Sequence, residues 1–175
     1  NMVTVAGTVA TVAIALICIP QGWIWQGGIA LAVVMFGDSV DGTLARMTTG
    51  GTRFGAFLDS TLDRLGDGAV FGSLTAYAVF QMENSFVRTW AIIAGICSIV
   101  GAAAVPYARA RAESVGVVAK LGIAERTDRL IIGMGTAILM SLGLPEWVFA
   151  AGLTWVAFAS FVTVCQRIWF TARNI

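Results

Sequence analysis

Half of the ten acidic residues of this 175-residue chain fall within one short stretch: Asp38, Asp41, Asp59, Asp63 and Asp67. Residues three and four apart share a face of a helix. Asp38 and Asp41 therefore point the same way, and Gly55, Asp59, Asp63 and Asp67, each four apart, form a slowly drifting stripe. The Gly50-Gly51 turn between them lets two antiparallel helices press these faces together. Asp38, Asp41, Asp59 and Asp63 would then converge in one small volume. Four like charges stay ionised together only around a cation. The chain has no histidine, and oxygen ligands alone favour Mg²⁺ or Mn²⁺ over zinc or copper. Four carboxylates are enough for two such ions. Gly42 and Gly55 would let a phosphate or diphosphate come close to the backbone. Arg46, one turn beyond Gly42, offers that ligand a bidentate fork. The competing reading treats the aspartates as solvated helix-end charges paired with Arg46, Arg53 and Arg64. It serves equally well for Asp67, but polar residues this dense in apolar helices point to function for the other four.

The elements that must position these groups belong to a membrane protein. Hydrophobic residues make up 58% of the chain and charged residues 12%, with a mean hydropathy of +0.83. A soluble domain carries about 25% charged residues, so a water-soluble enzyme is not expected. Disordered and nucleic-acid-binding chains need high charge and are excluded as well. Cys18, Cys97 and Cys165 lie in apolar stretches without CxxC spacing, which argues against a disulfide framework or a zinc site. About 20 apolar residues cross a bilayer, and six stretches reach or approach that length: 2–19, 23–37, 54–82, 89–108, 130–144 and 147–166. The second continues as helix into the polar run from Asp38, and the fifth needs its flanks to cross. Backbone groups in lipid must satisfy one another, so the segments are helices. The expected fold is an all-α integral membrane protein, one domain over residues 1–175. It has six transmembrane helices and a polar active-site cavity at the cytoplasmic membrane edge. A start at Asn1 points to some missing N-terminal sequence, and 2–19 lacks the basic flank of a signal peptide.

Cations set the orientation. Arg46 and Arg53, the 109–129 stretch, and Arg167 and Arg173 fall on one side. Of the eleven Lys and Arg, only Arg88 falls in the turns of the other side. The charged side is expected to face the cytoplasm. The six tryptophans mostly flank the spans, as an interfacial belt does.

The run Asp38-Ser-Val-Asp41-Gly42-Thr-Leu-Ala45-Arg46, eight residues, then Gly55-Ala-Phe-Leu-Asp59-Ser-Thr-Leu-Asp63 resembles the signature of the CDP-alcohol phosphotransferases. All four aspartates, both glycines and the Ala-Arg pair are in place, and the six-helix expectation agrees with that family over essentially the whole chain. The resemblance implies transfer of a phosphate-linked group from a CDP-activated lipid to a hydroxyl acceptor, with release of CMP. It implies metal held by Asp38, Asp41, Asp59 and Asp63, with Asp63 also the general base. It places Gly42, Ala45, Arg46 and Gly55 around the CDP-diacylglycerol. Asn1-Met-Val-Thr4 resembles part of the family's N-terminal pattern, which would put Asn1 and Thr4 near the nucleotide. Thr52 could hydrogen-bond the nucleotide or simply solvate its turn. A homodimer in a bacterial plasma membrane, with its active site facing the cytoplasm, is implied too.

A narrower resemblance concerns the acceptor. Arg109-Ala-Arg111-Ala-Glu113-Ser114, Glu125-Arg126-Thr-Asp-Arg129 and Cys165-Gln166-Arg167 are similar to segments of actinobacterial phosphatidylinositol-phosphate synthases. They imply that Arg109, Arg129 and Arg167 bind the phosphate of an inositol phosphate. Where that subfamily's basic motif has lysine, this chain has Arg109, which keeps the charge but changes the hydrogen-bond geometry. Arg109 and Arg111 lie two apart, so only one readily joins a given pocket. Arg167 sits in an apolar helix without an acidic neighbour, and so calls for an anion or a snorkelling route. The plainer reading makes these arginines positive-inside anchors, which suffices for Lys120 and Arg173. Three rivals remain: glycerol 3-phosphate as acceptor, an intramembrane prenyltransferase, and a cation channel. The glycine and Ala-Arg spacing disfavours the prenyltransferase. The channel would need acidic residues along a path across the bilayer, whereas these cluster at one end.

Overall fold

The computed structural model describes the backbone of residues 2–49 and 52–175, and the side chains of these except 36 and 38–49. Six α-helices and no strands occur among the described residues: α1 (Met2–Cys18), α2 (Ile24–Thr49), α3 (Arg53–Phe80), α4 (Phe86–Ser114), α5 (Arg126–Ser141) and α6 (Glu146–Asn174). The expected helices are all present, and α4 and α6 run beyond their apolar cores at both ends.

Local chemistry explains where helices begin. Thr52 caps α3 by accepting from the Gly55 amide at 3.0 Å, and Ser85 caps α4 by accepting from the Arg88 amide at 3.1 Å. Each satisfies an amide that has no partner inside its helix. At the start of α5 the Glu125 amide donates to the Asp128 carboxylate at 3.0 Å, and acids suit the positive end of the helix dipole. Pro106 lies inside α4; its missing N–H removes one rung of the ladder, which membrane helices tolerate.

The chain forms two compact units, Asn1–Gln81 and Met82–Ile175. In the first, α1 packs against both α2 and α3. Gln81, just past α3, donates from Nε2 to the Pro20 carbonyl at 2.8 Å and so ties the α1–α2 turn to the end of α3. In the second, α6 is central, packed on α4 and α5. Its buried face carries Phe149, Leu153, Val156, Ala159, Ser160 and Thr163. Ser98 of α4 donates to the Leu153 carbonyl at 2.9 Å, and Trp90 Nε1 donates to Thr154 Oγ1 at 2.8 Å. Gly152 lets α5 approach α6, because a Cβ there would overlap the Thr136 side chain. Small residues at such crossings allow the close backbone contact by which helices associate in lipid.

Among the described residues α4 and α6 are long and apolar enough to cross a bilayer, while α1 and the apolar part of α2 are shorter. With 16 residues, α5 reaches about 24 Å, short of the ~30 Å hydrocarbon core. The cysteines at 18, 97 and 165 are free thiols.

Candidate active site

The acidic stripe lies on α3. Asp59, Asp63 and Asp67 follow one another by one helical turn each, and their exposure falls along the stripe. Asp59 is exposed, the Asp63 side chain is 28% exposed, and Asp67 is 2% exposed. Arg64 Nη2 lies 3.4 Å from Asp63 Oδ2, a long, partly solvated contact that contributes little to stability. The two outer carboxylates are thus open to a ligand, whereas Asp67 is buried. Asp38, Asp41, Gly42, Ala45 and Arg46 are carried by the backbone of α2; their side chains lie outside the described residues, as does Asn1. The convergence of four aspartates therefore rests on groups of which only Asp59 and Asp63 are described. Among the described residues no three acidic or thiol groups are gathered closely enough to hold a metal ion.

Two other expected ligand contacts have visible local roles. Thr52 Oγ1 accepts from the Gly55 amide as the α3 cap, a local structural role. Thr4 is half-buried on α1, and its carbonyl accepts from Thr8 Oγ1 at 2.9 Å.

Arg109, Arg129 and Arg167, the three arginines expected to bind the acceptor, all fall in the second unit, each held differently. Arg109 Nε donates to Glu113 Oε1 at 2.9 Å, both side chains being 44% exposed. Arg111 is exposed on another face of α4, as the two-residue spacing required. Arg129 is 2% exposed and donates from Nη1 to the Ala124 carbonyl at 3.3 Å. Arg167 donates from Nε to the Leu121 carbonyl at 2.9 Å and from Nη1 to the Val105 carbonyl at 2.6 Å. Backbone carbonyls 46 and 62 residues away accept two of its five N–H donors. Arg109, Glu113 and Glu125 also lie near enough to act on the Arg167 charge. Arg129 and Arg167 therefore grip carbonyls three residues apart in the α4–α5 connection.

Sequence reasoning missed Glu113 as a partner, although an i,i+4 Arg–Glu pair on one helix signals it. It also missed the carbonyl contacts of Arg167, which no local pattern announces. Arg173 stacks over Trp169, its guanidinium 3.8 Å from the ring centroid, an interfacial pairing that fits its reading as an anchor.

The family profile for CDP-alcohol phosphatidyltransferase matches residues 1–164. The chain belongs to the CDP-alcohol phosphatidyltransferase family. It is 40% identical over 171 residues to the phosphatidylinositol phosphate synthase of Mycolicibacterium smegmatis, covering 96% of this chain and 75% of that protein. With the phosphatidylinositol phosphate synthase of Cutibacterium acnes it shares 39% identity over 175 residues, covering 96% of this chain and 83% of the other. Two crystal structures of the Mycobacterium tuberculosis phosphatidylinositol phosphate synthase are similar, each at 37% identity and a TM-score of 0.87 over 97% of this chain. One, with CDP-DAG bound, is covered to 84%; the other, in complex with manganese and citrate, is covered to 80%.

Proposed function

We propose that this chain transfers the phosphatidyl group of CDP-diacylglycerol to myo-inositol phosphate, giving phosphatidylinositol phosphate and CMP. The strongest single support is its likeness, along nearly its whole length, to synthases of that product. The family profile runs through both compact units, which favours one catalytic domain.

Asp59 and Asp63 fit a divalent metal: both are carboxylates, one turn apart, at least partly exposed, in a chain without histidine. With Asp38 and Asp41 they would hold Mg²⁺ or Mn²⁺, two ions in this reading. Such ions would neutralise charge on the diphosphate as CMP leaves. Gly42, Ala45, Arg46, Thr52 and Gly55, with Asn1 and Thr4, would bind the CDP-diacylglycerol. Asp63 takes the proton of the acceptor hydroxyl as its oxygen bonds to the phosphatidyl phosphorus and the phosphorus–oxygen bond to CMP breaks. Arg109, Arg129 and Arg167 form the positive setting for the acceptor's own phosphate.

Six spans with the polar chemistry at the cytoplasmic edge of a bacterial plasma membrane complete the reading, with the chain acting as a homodimer. Exposed apolar rows support lipid contact: Val5, Val9 and Leu16 on α1, and Ile93, Ile96 and Val100 on α4. Such rows are a liability in water and ordinary in lipid.

The test is CMP release by purified protein given CDP-diacylglycerol with inositol phosphate, unphosphorylated inositol or glycerol 3-phosphate in turn. Inositol phosphate is expected to be strongly preferred. Preference for glycerol 3-phosphate would move the chain to another branch of the family, and turnover of an isoprenoid diphosphate instead would remove it from this chemistry.

A further inference from the structure

Near its C-terminal end α6 carries the pair Gln166-Arg167, both half-buried, while Cys165 before them and Ile168 and Trp169 after them are exposed. Helix geometry says what the glutamine faces. It follows Ala159 by seven residues and Gly152 by fourteen, along one side of the helix. Ala159 is fully buried and Gly152 meets Thr136 of α5, so this side of α6 looks toward α5. Thr163, one turn before Gln166 and Arg167, packs against Gly122 of the α4–α5 connection. Gln166 therefore lies beside Arg167, at the level where the connection leads into α5. Arg129, in the first turn of α5, is buried. Arg167 and Arg129 bond the Leu121 and Ala124 carbonyls, so both guanidiniums reach this same short stretch of chain. The carboxamide oxygen of Gln166 is buried, and no donor among the described residues reaches it. A buried acceptor without a donor costs free energy, and such an atom in a native fold calls for a use.

We infer that Gln166 is a specificity residue: its carboxamide oxygen accepts a hydrogen bond from a ring hydroxyl of the polyol whose phosphate Arg129 and Arg167 hold. The inference rests on the acceptor proposed above. It takes Arg167 as a direct ligand of that phosphate, through the N–H groups not engaged by carbonyls. A carboxamide suits the task because it is neutral. A carboxylate there would repel the phosphate, and an apolar side chain would fill the space without reading a hydroxyl. An acceptor lacking the hydroxyl leaves the oxygen unpaired, and that penalty rejects it.

Gln166→Met and Gln166→Leu remove the carboxamide and keep most of its volume. Thermal unfolding in detergent without substrates gives a readout independent of the reaction. Its midpoint should stay at or slightly above wild type in both variants, because removing an unpaired buried polar atom relieves its desolvation. CMP release is then measured with inositol phosphate and with analogues that each lack one ring hydroxyl. KM for inositol phosphate should rise ~10-fold, within the range for leaving a hydroxyl unpaired, with kcat and the KM for CDP-diacylglycerol near wild type. One deoxy analogue should cost the wild type the same ~10-fold and cost the variants nothing further, since its partner there is already gone. A midpoint lowered in both variants would make Gln166 a structural residue and overturn the inference. Unchanged acceptor KM, or losses that add fully for every analogue, would overturn it too. Wild-type protein that uses glycerol 3-phosphate but not inositol phosphate would refute the acceptor and the inference with it, whereas the other outcomes leave that acceptor standing.

Discussion

In the proposed reaction Asp63 combines two roles, base and ligand, on a side chain that is only partly exposed. Asp63→Asn keeps the shape and removes the charge and the proton acceptor, so kcat for CMP release should fall at least ~10²-fold, the usual scale for losing a general base. CDP-diacylglycerol binding, measured separately, should weaken much less because three aspartates remain. Retention of more than about a tenth of the wild-type rate would place the base elsewhere. The metal makes a second test at this scale. Excess EDTA should abolish turnover and added Mg²⁺ or Mn²⁺ should restore it; undiminished CMP release in chelator would sink the carboxylate assignment. Asp67 shows how far spacing alone reaches. It continues the stripe of Asp59 and Asp63 in register, yet is buried in the first unit where they are not. Periodicity puts three carboxylates on one face but does not say where along that face the solvent ends.

At the level of elements, the second unit depends on close approach of its helices. Gly152→Ala puts a Cβ into the Thr136 side chain, and overpacking of this kind costs about 1–3 kcal/mol. The expected outcome is a lower midpoint of thermal unfolding in detergent. Thr136→Ala in the same chain should recover part of the loss, because Oγ1 and Cγ2 are two of the three atoms met. An unchanged midpoint for Gly152→Ala would mean that α5 and α6 separate more easily than their packing implies. The helices themselves were legible from apolar runs and turn residues. Their true ends were less so: α4 continues past 108 to Ser114 because Arg109 and Glu113 extend it as an ion-paired amphipathic turn. Hydropathy registers only the apolar part of such a helix.

For the whole molecule, the asymmetry of the cations is the property most open to test. In a cysteine-free background, a cysteine at Lys120 should react with a membrane-impermeant maleimide in inverted vesicles and not in spheroplasts. A cysteine at Asn84 should do the reverse. Labelling of both positions from one side would contradict the six-span topology, since an odd number of crossings is expected between them.

The sequence by itself determined the class of chemistry and the family. Four aspartates, two glycines and an Ala-Arg pair at set spacing lie within 26 residues, and a helix converts such short spacings directly into shared faces. Composition likewise sufficed to indicate a membrane setting, because the bilayer selects on apolar length alone. The fate of the arginines was decided only by tertiary structure. That Arg129 is buried and Arg167 bonds Val105 and Leu121 follows from contacts spanning up to 62 residues. Their partners are backbone carbonyls, which every residue carries and no side-chain pattern can mark.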